Sequence, residues 1–110
     1  MENSMKIVGQ DLVVKVPIEL DHHNCNEIKD KIDFLIGEEA VNRIVFDFAN
    51  TSFMDSSGIG VIMGRYKKMQ FIGGEVCAVG VGDRVYKILV LSGISKFIQI
   101  MKKKEEQLCQ

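Results

Sequence analysis

Apolar residues follow two rhythms in this chain: short, nearly continuous bursts, and longer stretches that repeat every three or four positions. Lys6 to Gly9 and Leu12 to Val16 are short apolar-rich runs split by Gln10-Asp11, which predicts an opening hairpin or pair of strands, the second limited by Pro17. After Leu20, Asp21 is placed as the N-cap of an amphipathic helix in which Cys25, Ile28, Ile32, Leu35 and Ile36 recur at helical spacing, and Gly37 marks its end. Ile44-Val-Phe-Asp-Phe48 is short and apolar, the signature of a largely buried strand. A second helix follows Asp55, with Ile59, Ile62, Met63 and Tyr66 on one face, closed by Gly73-Gly74. Val76 to Val79 is the next buried strand. Asp83 caps a third helix bearing Val85, Ile88, Leu89 and Leu91 before Gly93, and Phe97-Ile-Gln-Ile100 is a last short strand.

The predicted order is β β α β α β α β. Strands alternating with helices imply strands running mostly parallel and covered by helices. Periodicity alone stops at a small α/β sandwich, with Lys102 to Gln110 as a charged tail of solvated surface.

Length and composition narrow the class of protein. At 110 residues the chain reads as one domain, large enough to hold a core without staples. Three cysteines, Cys25, Cys77 and Cys109, are an odd number at unrelated spacings, which predicts reduced thiols in a cytoplasm and not a disulfide framework. Cys77 falls in an apolar run and reads as core. No apolar stretch suits a signal peptide or a membrane span, so the expectation is a soluble protein with no membrane insertion. A net charge of −1 offers no general attraction for nucleic acid, whose binding rests on clustered Lys and Arg.

The chemistry concentrates in Ser52-Phe-Met-Asp-Ser-Ser-Gly-Ile-Gly60, between the Arg43–Phe48 strand and the second helix. Asp55 is a good N-cap, because its carboxylate accepts hydrogen bonds from the first free N–H groups and complements the positive end of the helix dipole. Ser56 then falls at the first helical position, where a phosphate would meet a ready-made anion site. That suits a phosphoacceptor better than a nucleophile. Ser57 is the competing hydroxyl, serving otherwise as a local cap or a plain surface group.

Gly58, Gly60 and Gly64 stand within the first ten residues of this helix, although glycine in a helix interior costs about 1 kcal/mol relative to alanine. Close packing of helix on sheet and approach of a partner explain Gly60 and Gly64 equally well; for Gly58, beside the serines, the partner is the favoured explanation. Ser57, Val61, Gly64 and Lys68 share a face opposite the Ile59, Ile62 and Met63 stripe, so Val61 is expected to be exposed on a modest docking surface.

Together, Leu20-Asp-His-His23, Ser52-Phe-Met-Asp-Ser-Ser-Gly-Ile-Gly60, Arg65-Tyr-Lys67 and Ile72-Gly-Gly-Glu75 resemble the anti-sigma-F factor antagonists of spore-forming bacteria, stand-alone STAS domains (sulfate transporter and anti-sigma factor antagonist). The likeness runs from about residue 5 to about residue 100. It implies a mixed, mostly parallel sheet with helices largely on one face. It also implies a sporulation regulator without catalysis of its own, whose unphosphorylated form binds an anti-sigma factor that is a serine kinase carrying ADP or ATP. Sigma-F is then freed, so that the sigma factor is a partner only indirectly. The family's phosphorylated serine directly follows Asp, which maps to Ser56; a serine phosphatase at the membrane would restore the active form. The resemblance further implies that the region after that serine, Ser57 to Gly64 with Val61, meets the partner, that Asp21 lies near the same loop with Asp55, and that His22 and His23 line its rim.

Other chemistries fit less well. His22, His23 and Cys25 suggest a metal, but adjacent helical histidines point about 100° apart and a structural zinc needs four ligands, so no metal or other cofactor is expected. Gly80-Val-Gly82-Asp83 follows a strand as a dinucleotide loop would, yet Val85 replaces the third glycine. No G-x-S-x-G elbow supports a serine hydrolase. A receiver domain would need an acidic pair after the first strand and a lysine after the last. A STAS module that senses a small ligand or nucleotide in the same loop region is the alternative that stays open.

Overall fold

The structure, a computed structural model, describes residues 4–103. Its frame is a five-stranded sheet of β1 (Met5–Val8), β2 (Asp11–Lys15), β4 (Arg43–Asp47), β6 (Glu75–Val81) and β7 (Gln99–Lys102), in that spatial order. β1 runs antiparallel to β2, and every other neighbouring pair is parallel. Three helices, α1 (Cys25–Glu38), α2 (Ser56–Phe71) and α3 (Asp83–Leu91), make the crossovers. Two-residue strands β3 (Glu19–Leu20) and β5 (Phe53–Met54) form a separate parallel ladder, and a single 3-10 turn, Ile94–Lys96, precedes β7.

Strand register explains why one face of the sheet is buried. Residues paired across neighbouring strands share a face, so Leu12, Ile44 and Val76 form one row and Val14, Phe46 and Ala78 the next. All six are buried. Ile32 of α1, Ile62 and Met69 of α2 and Val85 and Leu89 of α3 join the same core, which puts the helices on that face. The alternate rows are Asp11, Arg43 and Glu75, then Val13, Val45 and Cys77. On that side the Arg43 guanidinium donates to both Asp11 oxygens, at 3.2 and 2.7 Å.

Several expected boundaries move, each for a local reason. Asp21 does not cap α1: a turn intervenes, in which the Asp21 carbonyl accepts from the N–H groups of Asn24 and Cys25, and Asn24 stands before the first helical residue. Gly37 lies inside α1, which runs one residue further before Glu39 takes an extended conformation. Asp83 is the first residue of α3 and not its cap, a place held by Gly82. Leu91 is exposed, leaving Val85, Ile88 and Leu89 as the apolar face. The last strand is displaced to Gln99–Lys102, because Ile94–Lys96 tightens into the 3-10 turn with Phe97 as its C-cap. Lys102 is thus strand and not tail; residues 104–110 of that tail lie outside the described residues. The end of α2 is as expected: Gly73 takes φ +83°, the left-handed conformation that glycine favours, and the Gly74 N–H returns to the Met69 carbonyl at 2.7 Å.

Candidate functional site

The β3–β5 ladder brings two loop ends together, the one entering α1 and the one entering α2. Leu20 pairs with Met54, and the Leu20 carbonyl accepts from the Asp55 N–H at 3.2 Å. Leu20 and Met54 are buried beneath this junction, while Asp21 and Asp55 emerge beside each other above it.

Asp55 caps α2 as its position predicts. Its backbone is extended, and Oδ1 accepts from the N–H groups of Ser57 at 2.8 Å and Gly58 at 3.4 Å. The second oxygen faces the other way: Oδ2 accepts from the His22 backbone N–H at 3.3 Å and lies 3.5 Å from His22 Nδ1. Partial desolvation pushes the Asp55 carboxyl upward, but the hydrogen bonds from Ser57, His22 and Gly58 outweigh it and hold the group below the usual carboxylate value. Asp21 organises the neighbouring turn in a similar way. Its Oδ1 accepts from the His23 N–H at 3.0 Å, and its own N–H donates to Asn24 Oδ1 at 3.0 Å. The rings of His22 and His23 lie 4.0 Å apart between centroids, exposed at the rim.

The two serines are in different settings. Ser56 is exposed at the first position of α2, whereas Ser57 is half-buried and turns toward the space between α1 and α2. Among the described residues no side-chain base is hydrogen-bonded to either hydroxyl; the bond made at Ser57 is that of its backbone N–H to Asp55. Burial, together with the negative charges of Asp55 and Asp21, pushes the nearby Cys25 thiol up and away from thiolate. Among the described residues no group of three or more His, Cys, Asp or Glu side chains is arranged to hold a metal ion.

Two expectations about α2 are corrected. Val61 is not exposed: only 5% of it reaches solvent, and the buried stripe is Gly58, Val61, Ile62, Arg65 and Met69. Gly58 is explained by packing within the chain, since a Cβ there would stand 3.0 Å from the Leu20 carbonyl oxygen and 3.1 Å from its side chain. Gly60 and Gly64 show the opposite: a Cβ at either meets nothing within 4 Å. Internal packing does not require those two glycines.

Arg65 carries a role that periodicity conceals. The guanidinium is buried, its Nε 3.0 Å from Asp33 Oδ1 of α1, and Nη1 donates to the Val61 carbonyl at 3.3 Å. The Nε–H is not aimed at the carboxylate oxygen, so this is an ion pair across the helix interface without a linear hydrogen bond. Lys68 adds a weaker contact to the same carboxylate at 3.9 Å.

A mixed sheet covered on one face, with a capped serine at the mouth of its second helix, is the arrangement of one family of regulatory domains. The STAS domain profile matches residues 3–107, and the chain belongs to the STAS domain family. Within it, the chain is 39% identical over 89 residues to the anti-sigma F factor antagonist of Paenibacillus polymyxa, covering 81% of this chain and 76% of that protein. Its fold is similar to that of the anti-sigma factor antagonist SpoIIAA in its unphosphorylated form, with TM-score 0.79 and 31% identity over 87% of this chain and 84% of that one. The Bacillus cell fate determinant SpoIIAA in its phosphorylated form matches with TM-score 0.70 and 29% identity, over 87% of each chain. Among the described residues no helix is long and apolar enough to cross a membrane.

Proposed function

We propose that this chain is an anti-anti-sigma factor whose binding is switched by phosphorylation of Ser56. It acts as one STAS domain in the cytoplasm, without catalysis of its own. Unphosphorylated, it binds an anti-sigma factor that is also a serine kinase, with nucleotide on the kinase, and so releases sigma-F. The kinase then phosphorylates Ser56, which ends the interaction until a serine phosphatase removes the group. Asp21, His22, Asp55, Ser57, Gly60, Val61 and Gly64 surround the contact, with Gly58 serving the packing that shapes it.

The observation that carries this reading is the placement of Ser56: exposed, first in the helix, directly after a carboxylate already committed to the helix N–H groups. A relative named for anti-sigma F antagonism, and neighbouring structures described in both phosphorylated and unphosphorylated forms, support it.

Asp55 also explains how the switch works. The helix N-terminus is not an open anion site, because Asp55 Oδ1 occupies the N–H groups of Ser57 and Gly58. A phosphate on Ser56, carrying about −1.5 to −2 charges, therefore stands beside a carboxylate and not in an empty cradle. Remaining in water it costs the fold little. Under a partner it must be desolvated next to Asp55, and a loss of a few kcal/mol in binding follows, each 1.4 kcal/mol being about tenfold in affinity.

The test is incubation with the cognate kinase and ATP, followed by phosphopeptide mapping and calorimetric titration of both forms. Phosphate on Ser56 with loss of binding is the expected result. Phosphate elsewhere, or unchanged binding of the modified protein, overturns the reading.

A further inference from the structure

Two consecutive histidines in the turn before α1 are each held to a carboxylate, but to different ones. His23 pairs with Asp21 of its own turn, through its backbone N–H at 3.0 Å and its ring Nδ1 at 3.6 Å. His22 pairs across the β3–β5 junction with Asp55, through its backbone N–H at 3.3 Å and its ring Nδ1 at 3.5 Å, both to Oδ2. Asp55 directly precedes Ser56, and its other oxygen is taken by the N–H groups of Ser57 and Gly58. The His22 side chain is 68% exposed, so its ring exchanges protons freely with water. The other titratable and charged groups around it are Asp21 and His23 of the same turn, Cys25 and Lys29 of α1 and Arg65 of α2. Lys29 and Arg65 oppose a proton on His22 but are themselves held by Asp30 and Asp33. All of these neighbours are the same before and after Ser56 is modified.

Histidine changes charge near neutral pH, and the second ionisation of a phosphoserine falls in the same range. A phosphate on Ser56 adds about −1.5 to −2 charges one residue from Asp55, and the ring already paired with Asp55 can offset that charge by gaining a proton. We propose that His22 is the proton partner of the switch: phosphorylation of Ser56 is accompanied by proton uptake at the His22 imidazole. In the transfer, the γ-phosphoryl group passes from ATP to Ser56 Oγ and ADP leaves. The hydroxyl proton goes to the kinase or to solvent, and a separate proton from solvent binds the imidazole. His23 responds less, because its ring is paired with Asp21 and a second cation at a centroid distance of 4.0 Å from a charged His22 is repelled. The coupling is reciprocal, so a protonated His22 favours the dianionic phosphate by the same factor. The proposal rests on the function inferred above and deepens it: pH becomes a second input to the phosphorylated state, read by a residue of the other turn.

The experiment follows the ring signals of both histidines against pH by NMR in the isotope-labelled full chain, with Ser56 free and with phosphoserine installed at position 56 by chemical ligation, so that no kinase is needed. The chain has two histidines, and His23→Gln assigns them. Phosphorylation is expected to raise the proton affinity of His22 by about three- to tenfold at low salt, less at high salt, and that of His23 by a smaller factor. In phosphorus spectra, His22→Gln, which keeps the backbone N–H bond to Asp55, should move the second ionisation of the phosphoserine to higher pH, and His23→Gln should move it less. A His22 titration unmoved by the phosphate, a larger response at His23, or a phosphate titration indifferent to His22→Gln overturns the proposal and leaves the switch standing. Failure of the cognate kinase to modify Ser56 in wild type overturns the switch and removes the reaction to which the proton is coupled.

Discussion

His22 and Asp55, separated by 33 positions in sequence, are joined twice: the histidine's backbone N–H donates to Asp55 Oδ2 at 3.3 Å, and its ring nitrogen lies 3.5 Å from the same oxygen. Asp55 thereby caps α2 with one oxygen and fastens the turn before α1 with the other.

Removing that carboxylate should therefore cost more than a cap. Asp55→Ala leaves the N–H groups of Ser57 and Gly58 to water and frees the His22 turn, and a lower urea-unfolding midpoint is expected. Asp55→Asn, which keeps an acceptor oxygen, should lose less than half as much.

Acid should reproduce some of this effect. The folded-state pKa of Asp55 is depressed below its usual 3.8, so its contribution to stability is fully present above that value and disappears as pH falls through the lower, folded one. Asp11, held low by its hydrogen bond from Arg43, adds a loss of the same sign. Between about pH 5 and pH 2, stability measured by denaturant unfolding should fall less steeply in Asp55→Asn than in wild type.

The three glycines of α2 should separate by sign. At Gly58 an added methyl meets a backbone oxygen at 3.0 Å that has little freedom to move. Overpacking of about 1–3 kcal/mol outweighs the helix propensity gained, which is reduced in the first turn. Gly60→Ala and Gly64→Ala meet nothing and should raise the unfolding free energy by up to about 1 kcal/mol each, while weakening binding to the anti-sigma kinase.

Exposure should decide between the serines. Ser57→Ala is expected to accept phosphate from the kinase, since it leaves the exposed Ser56 in place, whereas Ser56→Ala should incorporate none. Label retained by Ser56→Ala and lost from Ser57→Ala would reverse the assignment.

The interhelical ion pair makes a prediction of its own. Asp33→Ala strands the buried Arg65 charge, and about 1–3 kcal/mol of stability should be lost. Arg65→Met together with Asp33→Leu removes both charges and should recover most of it, as a double-mutant cycle would show.

How far the sequence reaches is clear from individual residues. Asp55 is legible because capping is a local matter of one carboxylate and the two or three residues after it. The strands of the main sheet are legible because their apolar residues fall in short, nearly continuous runs such as Leu12-Val13-Val14. Asp21 looks the same as Asp55, but Asn24, bonded to the Glu19 carbonyl and the Asp21 N–H, stabilises an extra turn that only the folded loop reveals. The buried stripe of α2 is hidden because two of its members are Gly58 and Arg65, neither of which counts as apolar; Leu20 explains the first and Asp33 the second, and both are distant in sequence. Strands of two residues, such as Phe53–Met54, are too short to show any period.

That shortest ladder has a consequence beyond architecture. The pairing of Glu19 with Phe53 and Leu20 with Met54, with the His22–Asp55 contacts above it, unites the histidine turn with the serine turn apart from the five-stranded frame. Parting that ladder would separate the two turns while leaving the main sheet paired, so the proposed switch would depend on a hinge-like clasp that the sheet itself does not supply.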